Sequence, residues 1–340
     1  MTNKHAEAAN PRSASGSPGL HLYARALAAA TFVLIFAGGL VTSTGSALAV
    51  PDWPLSFGKF FPRMEGGVLY EHGHRMIAGT VAIMTLLMAI WAWRREERRF
   101  VRNLALFAFA LVIVQAVLGG LTVLLLLPLA IAVSHAATAQ AFFCLTVALA
   151  LFTNPQWRTV PRVEPAAQWP HLPVLAAVTT AVIYLQILVG ALMRHMGAGL
   201  AIPDFPLSFG HLLPPVWNAH IAIHFAHRAG AAAVTLLVLA TAGLVRFHHR
   251  CRRGLVRTAD ALVGFVALQI ALGAFVIWSG KDVMVNTAHV VNGALVLGTS
   301  VVLTLRCWRA AFETSPAGSP APERPDPAAP PMRSLNEARS

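Results

Sequence analysis

Charge is what this chain has least of. Asp, Glu, Lys and Arg make up 12% of its 340 residues, about half the share found in soluble domains. Acids are the scarcer sign, 14 against 26 Lys and Arg. Cysteine is nearly absent as well. Cys144, Cys251 and Cys307 stand far apart without paired spacing, which excludes a disulfide scaffold and a thiolate metal centre. The net charge of +12 suggests a nucleic-acid partner at first sight. The arginines, however, fall in clusters between apolar runs, the pattern of cytoplasmic loops in a membrane protein. A lipid bilayer is therefore the expected surrounding, and nucleic acid is not a partner.

What the chain has in quantity is apolar sequence: 56% of its residues are hydrophobic and the mean hydropathy is +0.62. Runs of roughly 20 apolar residues, the length a helix needs to cross a bilayer, recur at 20–41, 70–93, 101–124, 129–152, 172–193, 217–245, 259–278 and 285–307. The first run is too long for a signal peptide and lacks a convincing cleavage site, so it counts as a span. The expected fold is an all-α integral membrane protein of eight transmembrane helices. Residues 1–19 and 310–340 are rich in Pro, Ser, Gly and Ala and are expected to be disordered. Arg94, Arg95, Arg98, Arg99, Arg102, Arg158, Arg162, Arg246, Arg250, Arg252, Arg253 and Arg257 lie on one side, against Lys59, Arg63, Arg194 and Lys281 on the other. That asymmetry places both termini in the cytoplasm.

The chain is also duplicated. Pro51-Asp-Trp-Pro-Leu-Ser-Phe-Gly58 and Pro203-Asp-Phe-Pro-Leu-Ser-Phe-Gly210 differ only at Trp53 and Phe205. His74-Arg75 and His227-Arg228, Gln115 and Gln269, and His135 and His289 keep nearly the same offset. Two tandem four-helix halves follow, 20–153 and 171–309, joined by a cytoplasmic linker at 154–170. Because four spans are an even number, both halves run in the same direction, related by a pseudo-twofold axis along the membrane normal.

His74, His135, His227 and His289 fall at similar depth near the outer ends of the even-numbered helices. Histidine inside a membrane span is costly and needs a purpose. Two imidazoles at one level, from facing helices, suit the axial positions of a haem iron. Zinc would call for a tetrahedron where the duplication makes pairs. Arg75 and Arg228 directly follow two of these histidines, and their guanidiniums suit either haem propionates or lipid head groups. Gln115, Gln269 and Asn292 read as interhelical hydrogen-bonding residues. His72, His195, His211, His220, His224, His248 and His249 lack duplicated partners and read mostly as surface or loop residues. Glu71 shares a helix face with His74, whereas its counterpart is His224. A carboxylate in one half is what chemistry confined to that half would leave; the plainer reading is an acid favoured by a helix N-terminus.

Eight helices in two halves, Glu71-x-x-His74-Arg75, His227-Arg228, single His135 and His289, and the Gly45–Gly58 loop together resemble the haem A synthase family over residues 20–308. The resemblance implies an oxidoreductase that converts the C8 methyl of haem O to a formyl group, giving haem A for terminal oxidases. It implies haem b as cofactor, held by His227 and His289 with Arg228. It implies a substrate half with His74, His135 and Arg75, and Glu71 as catalytic carboxylate. Haem O would be the substrate and a haem O synthase the partner supplying it, in the cell's inner (cytoplasmic) membrane. The electron acceptor is open, and a homo-oligomer is compatible. Many bacterial members carry a cysteine pair in the first outer loop; Val50 and Ser56 occupy those places here. The alternative on the same four histidines is a dihaem b-type electron-transfer protein without haem turnover. A transporter fits less well, because the polar groups gather at one leaflet.

Overall fold

The computed structural model describes residues 18–157 and 172–312. Among them are eight α-helices: α1 (Pro18–Ser43), α2 (Gly67–Arg95), α3 (Arg99–Leu124), α4 (Leu129–Phe152), α5 (Leu172–His195), α6 (Ala219–His249), α7 (Arg253–Trp278) and α8 (Val283–Phe312). All eight are long and apolar enough to cross a membrane. The described residues form no strands beyond the isolated bridges Ser56–Lys59 and Ser208–His211. The shortest helices have 24 residues, about 36 Å at the helical rise, more than the roughly 30 Å hydrocarbon core. Their ends therefore reach the head groups. Ile83, Phe107, Leu236 and Leu268 are exposed on the outside. Acyl chains solvate such a surface, whereas water would drive it to associate.

The spans expected from hydropathy are present, but several run further. Residues 18 and 19 belong to α1, and 310–312 to α8. Arg158, Arg162 and most of the two termini and the linker lie outside the described residues. The broad basic loop expected at 246–257 shrinks to Arg250–Arg252, because α6 continues to His249 and α7 starts at Arg253. Charge is costly in hydrocarbon, not in a helix, so a hydropathy boundary marks the bilayer edge and not the helix end. Arg246, His248 and His249 stand in the last turn of α6, where the exposed carbonyls favour cations. Arg246 also reaches Asp260 of α7 at 2.7 Å.

Each set of four helices has its own core. Leu27, Val81, Met88, Ala105 and Leu149 pack together in α1–α4, and Val245, Leu262, Leu297 and Leu303 in α5–α8. A smaller cluster, Ile35 of α1, Phe143 of α4 and Ala294 of α8, joins the two. The contact between the sets runs through α1, α4, α5 and α8. Polar side chains add specificity there: Ser43, at the end of α1, accepts from Arg194 of α5 and Thr287 of α8, both at 2.9 Å.

The arginine distribution gives a first prediction. Cys251 is exposed in the short α6–α7 turn, on the expected cytoplasmic side. A membrane-impermeant maleimide applied to intact cells should leave Cys251 unlabelled and should label Lys59→Cys. Labelling of Cys251 from outside would reverse the orientation.

Candidate functional site

The two Pro-Asp loops close in the same way. Asp52 accepts from the amides of Phe57 (2.7 Å) and Gly58 (2.8 Å), and Asp204 from Phe209 and Gly210 at the same distances. The Gly58 and Gly210 amides lead the contacts that hold these carboxyls below the usual carboxylate range, since donors to a carboxylate favour its charged form. The turns need left-handed backbone at Gly58 (φ 68°) and Gly210 (φ 77°), which glycine adopts without steric cost.

Arg75 and Arg228 clamp these loops. Arg75 donates to the carbonyls of Val50 (3.3 Å), Asp52 (2.6 Å) and Leu55 (2.9 Å). Arg228 donates to those of Ile202 (3.2 Å), Asp204 (2.6 Å) and Leu207 (2.8 Å). Sequence reasoning offered these guanidiniums propionates or head groups; the structure shows a third use, pinning main-chain carbonyls. Arg228 Nε is buried without a partner, so one donor remains uncommitted.

Glu71 and His224 perform corresponding tasks. Glu71 Oε2 accepts from the Val50 amide at 2.9 Å, and His224 Nδ1 from the Ile202 amide at 3.2 Å. Glu71 Oε1 also accepts from Arg75 Nη2 at 2.5 Å. The reading of His72 and His224 as surface or loop residues is thereby corrected: they are 6% and 3% exposed. Both stand in the first turns of α2 and α6, under loops that fold back over them. His72 Nδ1 bonds Ser56 Oγ at 2.8 Å. His211, His220 and His248 are exposed as expected.

Each of the four histidines lies against a glycine on the preceding helix. A Cβ added at Gly38, Gly119, Gly190 or Gly273 would sit 3.1, 3.1, 2.8 or 3.2 Å from Cε1 of His74, His135, His227 or His289. The missing side chain lets each imidazole settle on helix backbone. The rings of His227 and His289 have centroids 6.4 Å apart, with planes at 67°. Two imidazoles gripping one metal ion, with metal–nitrogen bonds of about 2 Å, have ring centres roughly 6 Å apart. In the N-terminal half, His135 of α4 lies within electrostatic range of His74 of α2. No group of three or more His, Cys, Asp or Glu suited to a metal occurs among the described residues. Orphaned buried polar atoms collect here too: His74 Nδ1, His135 Nδ1 and Gln115 Oε1 have no hydrogen-bond partner. Buried polar groups are nearly always satisfied, and a polar prosthetic group entering between these helices would face them. The residues present fit a haem.

A family model described as "Cytochrome oxidase assembly protein" matches residues 21–301. The chain belongs to that family. It is 30% identical over 286 residues to a heme A synthase of Shouchella clausii, covering 81% of this chain and 91% of the relative. It is 30% identical over 288 residues to a heme A synthase of Halalkalibacterium halodurans, with the same coverage. A heme A synthase of Symbiobacterium thermophilum is 30% identical over 285 residues, 80% of this chain and 89% of the relative.

This assembly-family fold brings several further polar residues to the histidines. Gln115 and Gln269 were expected to bridge helices, and they do so onto proposed ligands. Gln115 Nε2 lies 3.3 Å from His135 Nε2, and Gln269 Nε2 lies 3.2 Å from His289 Nε2. Asn292 donates to Gln269 Oε1 at 2.7 Å. Gln186 was missed entirely, yet its Nε2 is 3.0 Å from His227 Nδ1. Arg194 and His195, consecutive at the end of α5, lie within electrostatic range of His289 and His135 respectively. A repeated Gln-x-x-x-Gly spacing at 115–119, 186–190 and 269–273 was the available signal.

A second prediction concerns the glycines. Any side chain at Gly190 must displace the His227 ring, so Gly190→Val should remove low-spin haem absorbance from the purified protein. Gly73→Ala and Gly79→Ala, with nothing within 4 Å of the added atom, should leave the spectrum unchanged.

Proposed function

We propose that this protein is a haem A synthase, oxidising the C8 methyl of haem O to a formyl group inside the membrane. The observation that carries the reading is the His227–His289 pair at one-metal spacing, in a chain belonging to the cytochrome oxidase assembly family. A bound haem supplies redox chemistry that amino-acid side chains lack.

The chain's own residues bind and orient. His227 and His289 would hold haem b as the resident cofactor, and Arg228 Nε, buried without a partner, would be free to meet a propionate. His74 and His135 receive haem O beneath the loop that Arg75 clamps. Methyl oxidation releases protons as well as electrons, so a carboxylate near the reacting carbon is useful. Glu71 stands three residues before His74, about 4.5 Å along the helix axis, within the breadth of a haem. It accepts a proton or stabilises positive charge developing on the substrate. The two four-helix sets act as substrate half (20–153) and cofactor half (171–309), related by a pseudo-twofold axis along the membrane normal. Both termini face the cytoplasm, and a haem O synthase in the same membrane supplies the substrate.

The test is co-expression with a haem O synthase in cells lacking haem A, followed by haem extraction and mass analysis. The expected product is haem A. Haem O as the sole extracted product, from a chain that binds haem normally, would overturn the proposal.

A further inference from the structure

The structure divides not only into halves but into four helical hairpins built on one plan. The odd-numbered helix of each offers a glycine on which the histidine of the even-numbered helix rests: Gly38 under His74, Gly119 under His135, Gly190 under His227 and Gly273 under His289. Four residues before each glycine, on the same helix face, stand Leu34, Gln115, Gln186 and Gln269. Three hairpins carry an amide at this position and the first does not.

The amides support their histidines to different degrees. In the α5–α6 hairpin, Gln186 Nε2 donates to the His227 carbonyl at 2.6 Å and lies 3.0 Å from Nδ1. The amide is also slotted against Gly230, where a Cβ would lie 2.1 Å from Gln186 Oε1. In the α7–α8 hairpin, Gln269 Nε2 donates to the His289 carbonyl at 3.0 Å, and its Oε1 is fixed by Asn292. Asn292 in turn donates to the Phe265 carbonyl at 2.9 Å. In the α3–α4 hairpin the support is partial: Gln115 reaches one ring nitrogen of His135 at 3.3 Å, while its Oε1 and His135 Nδ1 find no partner. In the first hairpin the Leu34 side chain offers only apolar atoms. Its main-chain carbonyl stands beside the His74 ring, yet His74 Nδ1 lacks a hydrogen-bond partner.

Hydrogen bonds from a second layer of residues fix ring orientation and raise a metal ligand's affinity. An amide suits this task because it holds both a donor and an acceptor, and can serve a ring nitrogen whether or not that nitrogen carries a proton. We propose that Gln186 and Gln269 are positioning residues that make the C-terminal site a permanent haem site. Gln115 and Leu34 grade the N-terminal site down to one that exchanges haem, with His74 as its yielding ligand. The inference rests on the haem-binding reading above and adds to it: a resident cofactor needs a stiff pair of ligands, whereas a substrate that must leave as product needs a loose one.

The test exchanges the two kinds of hairpin and measures haem release, with no turnover required. Purified protein is mixed with an excess of a haem-scavenging apoprotein and the transfer rate is followed by absorbance. Gln186→Leu should speed release of the C-terminal haem by about 10- to 100-fold, the usual effect of losing such a partner. Gln186→Glu keeps an acceptor for a ring N–H but loses the donor to the His227 carbonyl, so it should release haem at a rate between those of Gln186→Leu and the wild type and lower the haem reduction potential. Leu34→Gln should slow release from the N-terminal site and raise the haem-to-protein ratio on purification. If Gln186→Leu does not fold, Gln269→Leu and Leu34→Gln carry the comparison. Unchanged release in the leucine variants together with an unchanged haem ratio in Leu34→Gln overturns this inference alone. Wild-type protein that binds no haem would overturn the functional reading beneath it.

Discussion

Alanine at His227 or His289 is expected to strip the low-spin haem from the purified protein, whereas alanine at His74 or His135 is expected to leave most of it and abolish haem A. The low-spin spectrum needs two strong axial ligands, and the C-terminal pair stands at the separation one metal ion requires. Each of those rings is also backed by an amide on the preceding helix, so the site is largely preformed. The N-terminal pair leaves a ring nitrogen of each histidine unsatisfied. Haem held there is expected to be a minor part of what survives purification. The measurement is the reduced-minus-oxidised spectrum with extracted haem content, compared among the four variants. Equal haem loss from all four would favour two equivalent resident haems, the dihaem electron carrier, over an enzyme with one cofactor and one substrate.

Glu71→Gln is expected to insert normally, retain haem b, and lower haem A formation by about 10²- to 10⁴-fold, the usual contribution of a positioned acid or base, with haem O accumulating. The structure supplies a competing cause that the experiment must separate. Glu71 is 4% exposed, and its two oxygens hold Arg75 and the Val50 amide. Glutamine keeps an acceptor for one of these and turns a donor toward the other, so the loop could loosen. Arg75→Lys serves as the comparison. It removes the forked donor that pins three loop carbonyls but leaves the carboxylate in place. If Glu71 acts on the substrate, Glu71→Gln loses far more activity than Arg75→Lys at similar protease resistance of the loop. Equal losses would make Glu71 a loop residue like His224, and wild-type haem A yields would remove it from the site altogether.

The one-sided acid thus looks different once its contacts are known. In sequence, Glu71 opposite His224 is an asymmetry of chemistry, because one side chain is a carboxylate and the other is not. In the structure the two hold corresponding loop amides, Val50 and Ile202. The asymmetry that persists is the ion pair with Arg75. Arg228 makes the same loop contacts, but its helix carries His224 at the position of the acid.

The sequence by itself determined the eight spans, the four histidines, and the matching of the two loops down to Asp52 and Asp204. These are local or repeated properties: transfer into hydrocarbon is summed along a segment, and a duplication is visible as text. It misjudged the ends of α6 and α7 because hydropathy records where lipid stops and a helix can continue past that point. Only the tertiary structure decided which atoms the side chains meet. Gln186 is one polar residue among many until α5 and α6 pack and bring it to 3.0 Å from His227. Gly190 is an unremarked glycine until the imidazole lies on it. His72 and His224 look like exposed histidines until the Pro-Asp loops fold over the starts of α2 and α6. Such contacts depend on how each helix is rotated about its axis against its neighbours, and that rotation is set by the packing of all eight helices together.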